Sequence, residues 1–339
     1  MNGLLSFKPA NQDCDFARIA KKQDQMFHRV ATLCPERAEI ITESFKHSEG
    51  KPIVIRRALA MADILEKMSI YIEPDMLIVG NQASANFAAP VFPEYSFNWV
   101  IEELDQFDKR SGDSFQVSEE TKARLRVLQD YWQGKTHQDE VLANLPHINR
   151  LAEKQGVLHR GGISMSGDGH IIPNHDFVLE VGYGGMRDIA KQHLAEDTDL
   201  TDEQKDFYQA VIITMEAALN YCKRFSLLAK EEAAKTTDAK RRDELQAMSE
   251  MFAHLMEGKA RNFWEAVETV YLTHLLMMIE SNGHSFSLGR FDQYVWPFYE
   301  ADINSGKISK EKALEILTHF FIMTNSLNKV RPWGHTQYS

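Results

Sequence analysis

The apolar stretch at residues 269–279 (TVYLTHLLMMI) runs directly into residues 280–294 (ESNGHSFSLGRFDQY), and this junction limits what the chain can build. The first part reads as the end of a buried helix, because nearly every side chain is apolar. From Glu280 onward, Glu280, Asn282, His284, Ser285, Ser287, Arg290 and Asp292 alternate with Gly283, Phe286, Leu288, Gly289 and Phe291. A solvent loop has no need of three aromatics, and a core segment has no need of four ionisable groups. Apolar walls with a few placed polar groups are what a lined pocket requires.

The rest of the chain sets the frame for that pocket. At 339 residues it is long enough for a sizeable core, and its 43% apolar and 26% charged content is that of a globular protein. A net charge of −11, spread along the chain, argues against a nucleic-acid or phospholipid surface, which needs clustered Lys and Arg. Cys14, Cys34 and Cys222 are odd in number and far apart, which fits reduced thiols better than a disulfide frame. With no secretory start, no membrane-length apolar run, no CxxC and no HExxH, the reading is a cytoplasmic, metal-free chain without a membrane partner.

Periodicity predicts a mainly helical first half. Two helices are expected between about 14 and 48, the second opening at Pro35, and another over 53–68, where IVIRRALAMADILEKM repeats its apolar residues at three and four. Residues 70–72 and 76–79 read as short β pieces, split by Glu73-Pro74-Asp75. Residues 81–95 are apolar but hold Pro90 and Pro93, so they should lie irregularly against the core. Further helices are expected near 97–105, 118–134, 137–155, 174–194 with a bend at 182–185, 201–234, 237–258, 262–280 and 309–325. In the 201–234 helix, Phe207, Val211, Met215, Ala218, Cys222, Phe225 and Ala229 form one stripe, which places Cys222 in packing. No repeat or linker marks a domain boundary, so residues 1–339 are read as one region.

The second conspicuous loop is 158–173 (LHRGGISMSGDGHIIP), with four glycines at 161, 162, 167 and 169. It matches neither GxGxxG after a strand nor GxxxxGK[ST], so a nucleotide phosphate is not favoured. His170 has a polar, glycine-flanked setting suited to an oriented hydrogen-bonding role, whereas His175 falls off that face and is expected to be exposed. His284-Ser285 sets an imidazole beside a hydroxyl, but without a GxSxG elbow, and neighbours on an extended chain point apart. Ligand hydrogen bonding is the better reading of that pair, and structural pairing is preferred for Arg290 with Asp292. Cys34, just before a helix start, is the one thiol placed for a lowered pKa.

With those residues laid out, the chain resembles the glycyl radical enzymes of the pyruvate formate-lyase family. The likeness is to their N-terminal portion, and to the branch of glycerol dehydratase and choline trimethylamine-lyase. It is carried by PIVIRRALAMADIL at 52–65, LIVGN at 77–81, APVFPEY at 89–95, GDGHIIP at 167–173, the 281–294 run with SLGRFDQY, and PWGHTQYS at 332–339. The resemblance implies an α/β fold, a ten-stranded barrel wrapped by helices, of which this portion is predominantly helical. It implies that His170, His284 and Ser285 contact substrate hydroxyls. It also implies a stored protein glycyl radical, installed by a separate activating enzyme using S-adenosylmethionine and an iron–sulfur cluster, and a cysteine thiyl that takes hydrogen from a small polar substrate.

Neither radical residue has a counterpart here. No Gly-Cys-Val-Glu thiyl loop and no Arg-Val-x-Gly-Tyr glycyl loop occurs in the sequence. The chain is therefore expected to be cut short, as by a frameshift, a split gene or a cloning boundary, to bind no cofactor itself and to be inactive alone. A separately encoded C-terminal half is one expected partner. A fragment of a formate acetyltransferase and a non-catalytic helical binding protein left by gene decay are the alternative readings.

Overall fold

The computed structural model describes residues 14–158, 165–167, 169–256, 258–283 and 285–333. In chain order they form α1 (Phe16–Phe27), β1 (Thr32–Cys34), α2 (Glu36–His47), α3 (Ile53–Lys67), β2 (Ala88–Pro90) and α4 (Asn98–Glu103). Next come α5 (Glu119–Val127), α6 (Gln129–Trp132), α7 (His137–Asn144), α8 (His147–Lys154), α9 (His175–Glu196) and α10 (Asp202–Lys235). The last four are α11 (Ala239–Leu255), α12 (Phe263–Glu280), α13 (Phe291–Asn304) and α14 (Lys310–Asn325).

The centre is α12. Thirteen of its residues are buried, including Val267, Val270, Tyr271, Leu275 and Ile279, so it is covered on all sides as its composition demands. The longest helix, α10, packs against α3, α9 and α11. Its start is fixed by a reciprocal capping box between Thr201 and Gln204. Cys222 lies on its buried stripe as expected, and burial pushes the thiol up to about 12. The first member of that stripe, Phe207, is exposed instead. The expected bend in α9 falls at Gly182, where φ is +69° and an added Cβ would lie 2.8 Å from the Gly258 carbonyl.

Three readings of the sequence are corrected. Residues 70–72 and 76–79 are not strands; the one sheet among the described residues pairs Thr32–Cys34 in parallel with Ala88–Pro90. The backbone of 76–81 is satisfied by helix side chains. Glu268 accepts from the Val79 amide at 3.2 Å, Tyr271 donates to the Gly80 carbonyl at 3.2 Å, and Tyr221 donates to that of Asn81 at 2.8 Å. Arg241 and Trp264 donate to Met76 and Leu77 at 2.8 and 3.0 Å. An extended apolar segment thus runs through the core without a ladder, its polar groups met from α10, α11 and α12. The second correction is α13, a helix the sequence reading did not place. Third, His175 is buried at 2% exposure, because Tyr294 of α13 packs on its ring, tilted by 33° with 5.3 Å between centroids.

Candidate functional site

The site is built around the C-terminal end of α12. Its last carbonyls carry the negative end of the helix dipole, which cations stabilise. Arg37 of α2 donates to the Ile279 carbonyl at 2.7 Å and to that of Glu280 at 3.3 Å, while it pairs with Glu94 at 2.6 Å. Both side chains of that pair are almost fully buried, and the Phe92 ring lies 3.7 Å beneath the guanidinium. Arg57 of α3 pairs with the carboxylate of the same Glu280 and donates to the Tyr95 hydroxyl. Burial opposes the charge of Arg57, but Glu280 and Tyr95 outweigh it and hold the guanidinium above its ordinary value. Burial also pushes the Tyr95 phenol up to about 12, with Glu280 and Glu94 adding to the effect.

These anchors place the 281–290 loop against the 165–173 loop. Gly167 approaches so closely that an added Cβ would meet Ser281 Oγ at 2.1 Å and the Tyr95 ring at 2.7 Å, so a side chain there would part the two segments. Ser96 donates to the Met165 carbonyl at 2.9 Å, and the Ser287 amide donates to that of Ile171 at 2.9 Å. Gly289 has φ +65°, and an added Cβ would lie 3.0 Å from Ile172. Tyr294 then closes the loop onto α13 by donating to the Leu288 carbonyl at 2.7 Å.

His170 and Ser285, the two described residues of the expected hydroxyl-binding set, sit on these joined loops. Each adopts a left-handed backbone, with φ of 55° and 58°, and each side chain is exposed. Positive φ at non-glycine residues is held only where neighbours fix it, and it clusters at ligand sites. His284, the third of the set, lies outside the described residues. Arg290 bonds Gln293 at 3.3 Å, and among the described residues no pair with Asp292 is formed.

Two cavities flank the loops. One of about 370 Å³ is walled by Ile171, Pro173, Phe177, Met277, Ser281 and Phe286. The other, about 710 Å³, is lined by Arg56, Arg57, Glu94, Tyr95, His137 and Gly167. Glu280 borders both, so the Arg57–Glu280 pair stands in the partition. Sequence reasoning missed Arg57, Glu94 and Tyr95 as members of this arrangement. Arg57 lies in an amphipathic run, where an arginine reads as a solvated face, although the APVFPEY block did carry Glu94 and Tyr95. Among the described residues no group of three or more His, Cys, Asp or Glu is placed to hold a metal, and no helix is long and apolar enough to cross a membrane.

The family described as pyruvate formate lyase-like matches residues 10–339 of this chain. The chain belongs to that family. Within it, a probable dehydratase, YbiW, of Escherichia coli K12 is 37% identical over 329 residues, covering 95% of this chain and 40% of its own length. The (2S)-3-sulfopropanediol dehydratase of Klebsiella oxytoca is 31% identical over 327 residues, covering 94% and 40%. The glycerol-bound B12-independent glycerol dehydratase of Clostridium butyricum superposes with a TM-score of 0.92 at 37% identity, over 98% of this chain and 42% of that one. The predominantly helical architecture is therefore that of part of a glycyl radical enzyme. The chain spans about 40% of the length of the curated relatives it matches.

Proposed function

We propose that this chain is the substrate-holding N-terminal portion of a glycyl radical dehydratase or lyase acting on a small hydroxylated molecule. One observation carries the reading. A backbone that follows a glycerol-bound glycerol dehydratase has its two glycine-bearing loops joined through Ser287 and Ile171, with His170 and Ser285 on them. Imidazole and hydroxyl groups each donate and accept, so His170, His284 and Ser285 can hold both the proton and the lone pairs of substrate hydroxyls. The Arg57–Glu280–Tyr95 cluster, bonded within itself, acts as a fixed wall behind them.

Hydrogen abstraction falls to residues outside this chain. The radical glycine and the thiyl cysteine belong to a further polypeptide portion, and an S-adenosylmethionine activating enzyme acts on that portion in the cytoplasm. Of this chain's thiols, Cys222 is buried in α10 with burial holding it protonated, which suits packing and not radical transfer. Relatives with dehydratase and sulfite-lyase names favour this reading over a formate acetyltransferase.

Anaerobic incubation of the 339-residue chain with S-adenosylmethionine and an activating enzyme tests the division of labour. No glycyl radical doublet in the electron paramagnetic resonance spectrum and no turnover of glycerol are expected. A doublet arising from this chain would sink the assignment.

A further inference from the structure

Four nitrogen-bearing side chains, His175 buried and His274, Lys329 and Arg331 half-buried, lie near one another without an acceptor among the described residues. His175 is 2% exposed, and neither of its ring nitrogens has a hydrogen-bond partner among the described residues. The same is true of Nδ1 of His274 and of both terminal nitrogens of Arg331. Lys329 holds its ammonium 4.8 Å from the centre of the Phe286 ring, and the His274 ring meets the same Phe286 edge-on at 6.2 Å. His175 and Lys329 both act electrostatically on His274, and Arg331 acts on Lys329, so the four share one field. No carboxylate among the described residues contributes to the field at any of them. Asp108 and Asp113 line the same cleft of about 470 Å³ as Lys329, yet neither offsets its charge.

This is an unusual arrangement for a folded chain. Buried donors are normally paired, and buried cations normally face an anion. Burial alone holds His175 down to about 4, burial with His175 and Lys329 nearby holds His274 to about 4, and Lys329 falls to about 7. The Phe286 ring gives the ammonium a cation–π contact, which compensates only part of a full counter-charge. Other parts of the fold pair their buried arginines: Arg37 has Glu94, and Arg18 has Glu244 and Glu315. The segment carrying Lys329 and Arg331 is also firmly placed. Val330 between them is 1% exposed, and its carbonyl accepts from Asn282 at 3.4 Å. Gln82 donates to the Asn328 carbonyl at 2.6 Å. The position is also reachable, since Phe286 borders the 370 Å³ cavity and Lys329 the 470 Å³ cleft.

We propose that His175, His274, Lys329 and Arg331 form an anion site that takes one oxyanion group, a carboxylate, sulfonate or phosphate. Its donor set suits that chemistry: a guanidinium fork and an ammonium for charge, and two imidazoles for directed hydrogen bonds. The site is separate from the hydroxyl-binding role of His170 and Ser285. The oxyanion comes either from a free small molecule or from an acidic side chain of another polypeptide segment.

The test follows the imidazole resonances of His175 and His274 in ¹H–¹⁵N spectra of the 339-residue chain. One arm adds sodium sulfate and the other a blocked glutamate-containing tetrapeptide, with chloride holding ionic strength fixed. Saturable shifts of both histidines are expected in at least one arm. A response to sulfate identifies a free small anion, and a response to the peptide alone identifies a polypeptide carboxylate. Lys329→Met exchanges an unpaired half-buried cation for an apolar group of similar length, so it keeps the fold while weakening binding about tenfold or more. Arg331→Met repeats the effect from the second cation, and the exposed Lys205→Met leaves binding unchanged. Absence of saturable shifts in both arms, or shifts that survive Lys329→Met and Arg331→Met, would overturn the site.

Discussion

The amide of Ser287 donates to the carbonyl of Ile171 at 2.9 Å, joining two loops more than a hundred residues apart in sequence. That bond matters because among the described residues neither loop is braced by a sheet. The 281–290 loop hangs from the end of α12 and the 165–173 loop from the start of α9. Their mutual register depends on this bond, on the glycine contacts at 167 and 289, and on the Arg37 and Arg57 anchors behind them.

Gly289→Ala probes that register. The backbone there has φ +65°, and the new methyl would press on Ile172 at 3.0 Å. Strain at such a position costs on the order of 1–3 kcal/mol. Amide exchange at Ser287 should accelerate at least tenfold, whereas the alanine variant of Gly306, which has φ +69° but open space around it, should not affect Ser287.

Arg37→Met removes one partner of a buried ion pair and uncovers the Ile279 carbonyl. Glu94 is then left buried and unpaired, which typically costs about 3–5 kcal/mol. Urea denaturation should show a loss of that size. The double variant Arg37→Met with Glu94→Gln should recover part of it, since the stranded charge is gone.

Acid should destabilise the chain through its buried histidines. Burial holds His175 and His274 down to about 4 and His319 to about 3, below the ordinary value of about 6.5. Between pH 6.5 and 4 the unfolded chain takes up protons that the folded chain refuses. The stability these groups leave intact above about 6.5 is therefore lost as pH falls through that window. Melting temperature should drop across it, and His319→Gln should flatten the slope by up to about one proton. An unchanged slope in that variant would contradict the burial effect.

Much of the architecture was legible because it rests on local periodicity. Helices α3 and α10 repeat apolar residues at three and four, the continuous apolar run of α12 marks a buried helix, and Gly182 marks its own bend. The failures share one physical origin, which is partners distant in sequence. Residues 76–79 form a short apolar run like a strand, but their backbone groups are met by Glu268, Trp264 and Arg241 from helices far down the chain. His175 looked solvated because its cover, Tyr294, lies over a hundred residues away. In α13, Pro297 and a dense mix of aromatic and charged side chains hid a helix behind what read as the tail of a pocket run. The hydroxyl-binding candidates were singled out by loop composition and by the family resemblance. The Arg57–Glu280–Tyr95 linkage behind them joins three separate segments, and no single stretch of sequence displays it.

The central claim is that the His170 and Ser285 face of these loops holds a small hydroxylated molecule. Saturation-transfer difference NMR with glycerol on the 339-residue chain tests it most directly. Transfer from the chain to glycerol protons is expected for the unaltered protein, with loss of most of the signal in His170→Ala and in Ser285→Ala and retention in the surface variant Lys205→Met. No transfer to glycerol, or transfer unaffected by both loop substitutions, would contradict the account.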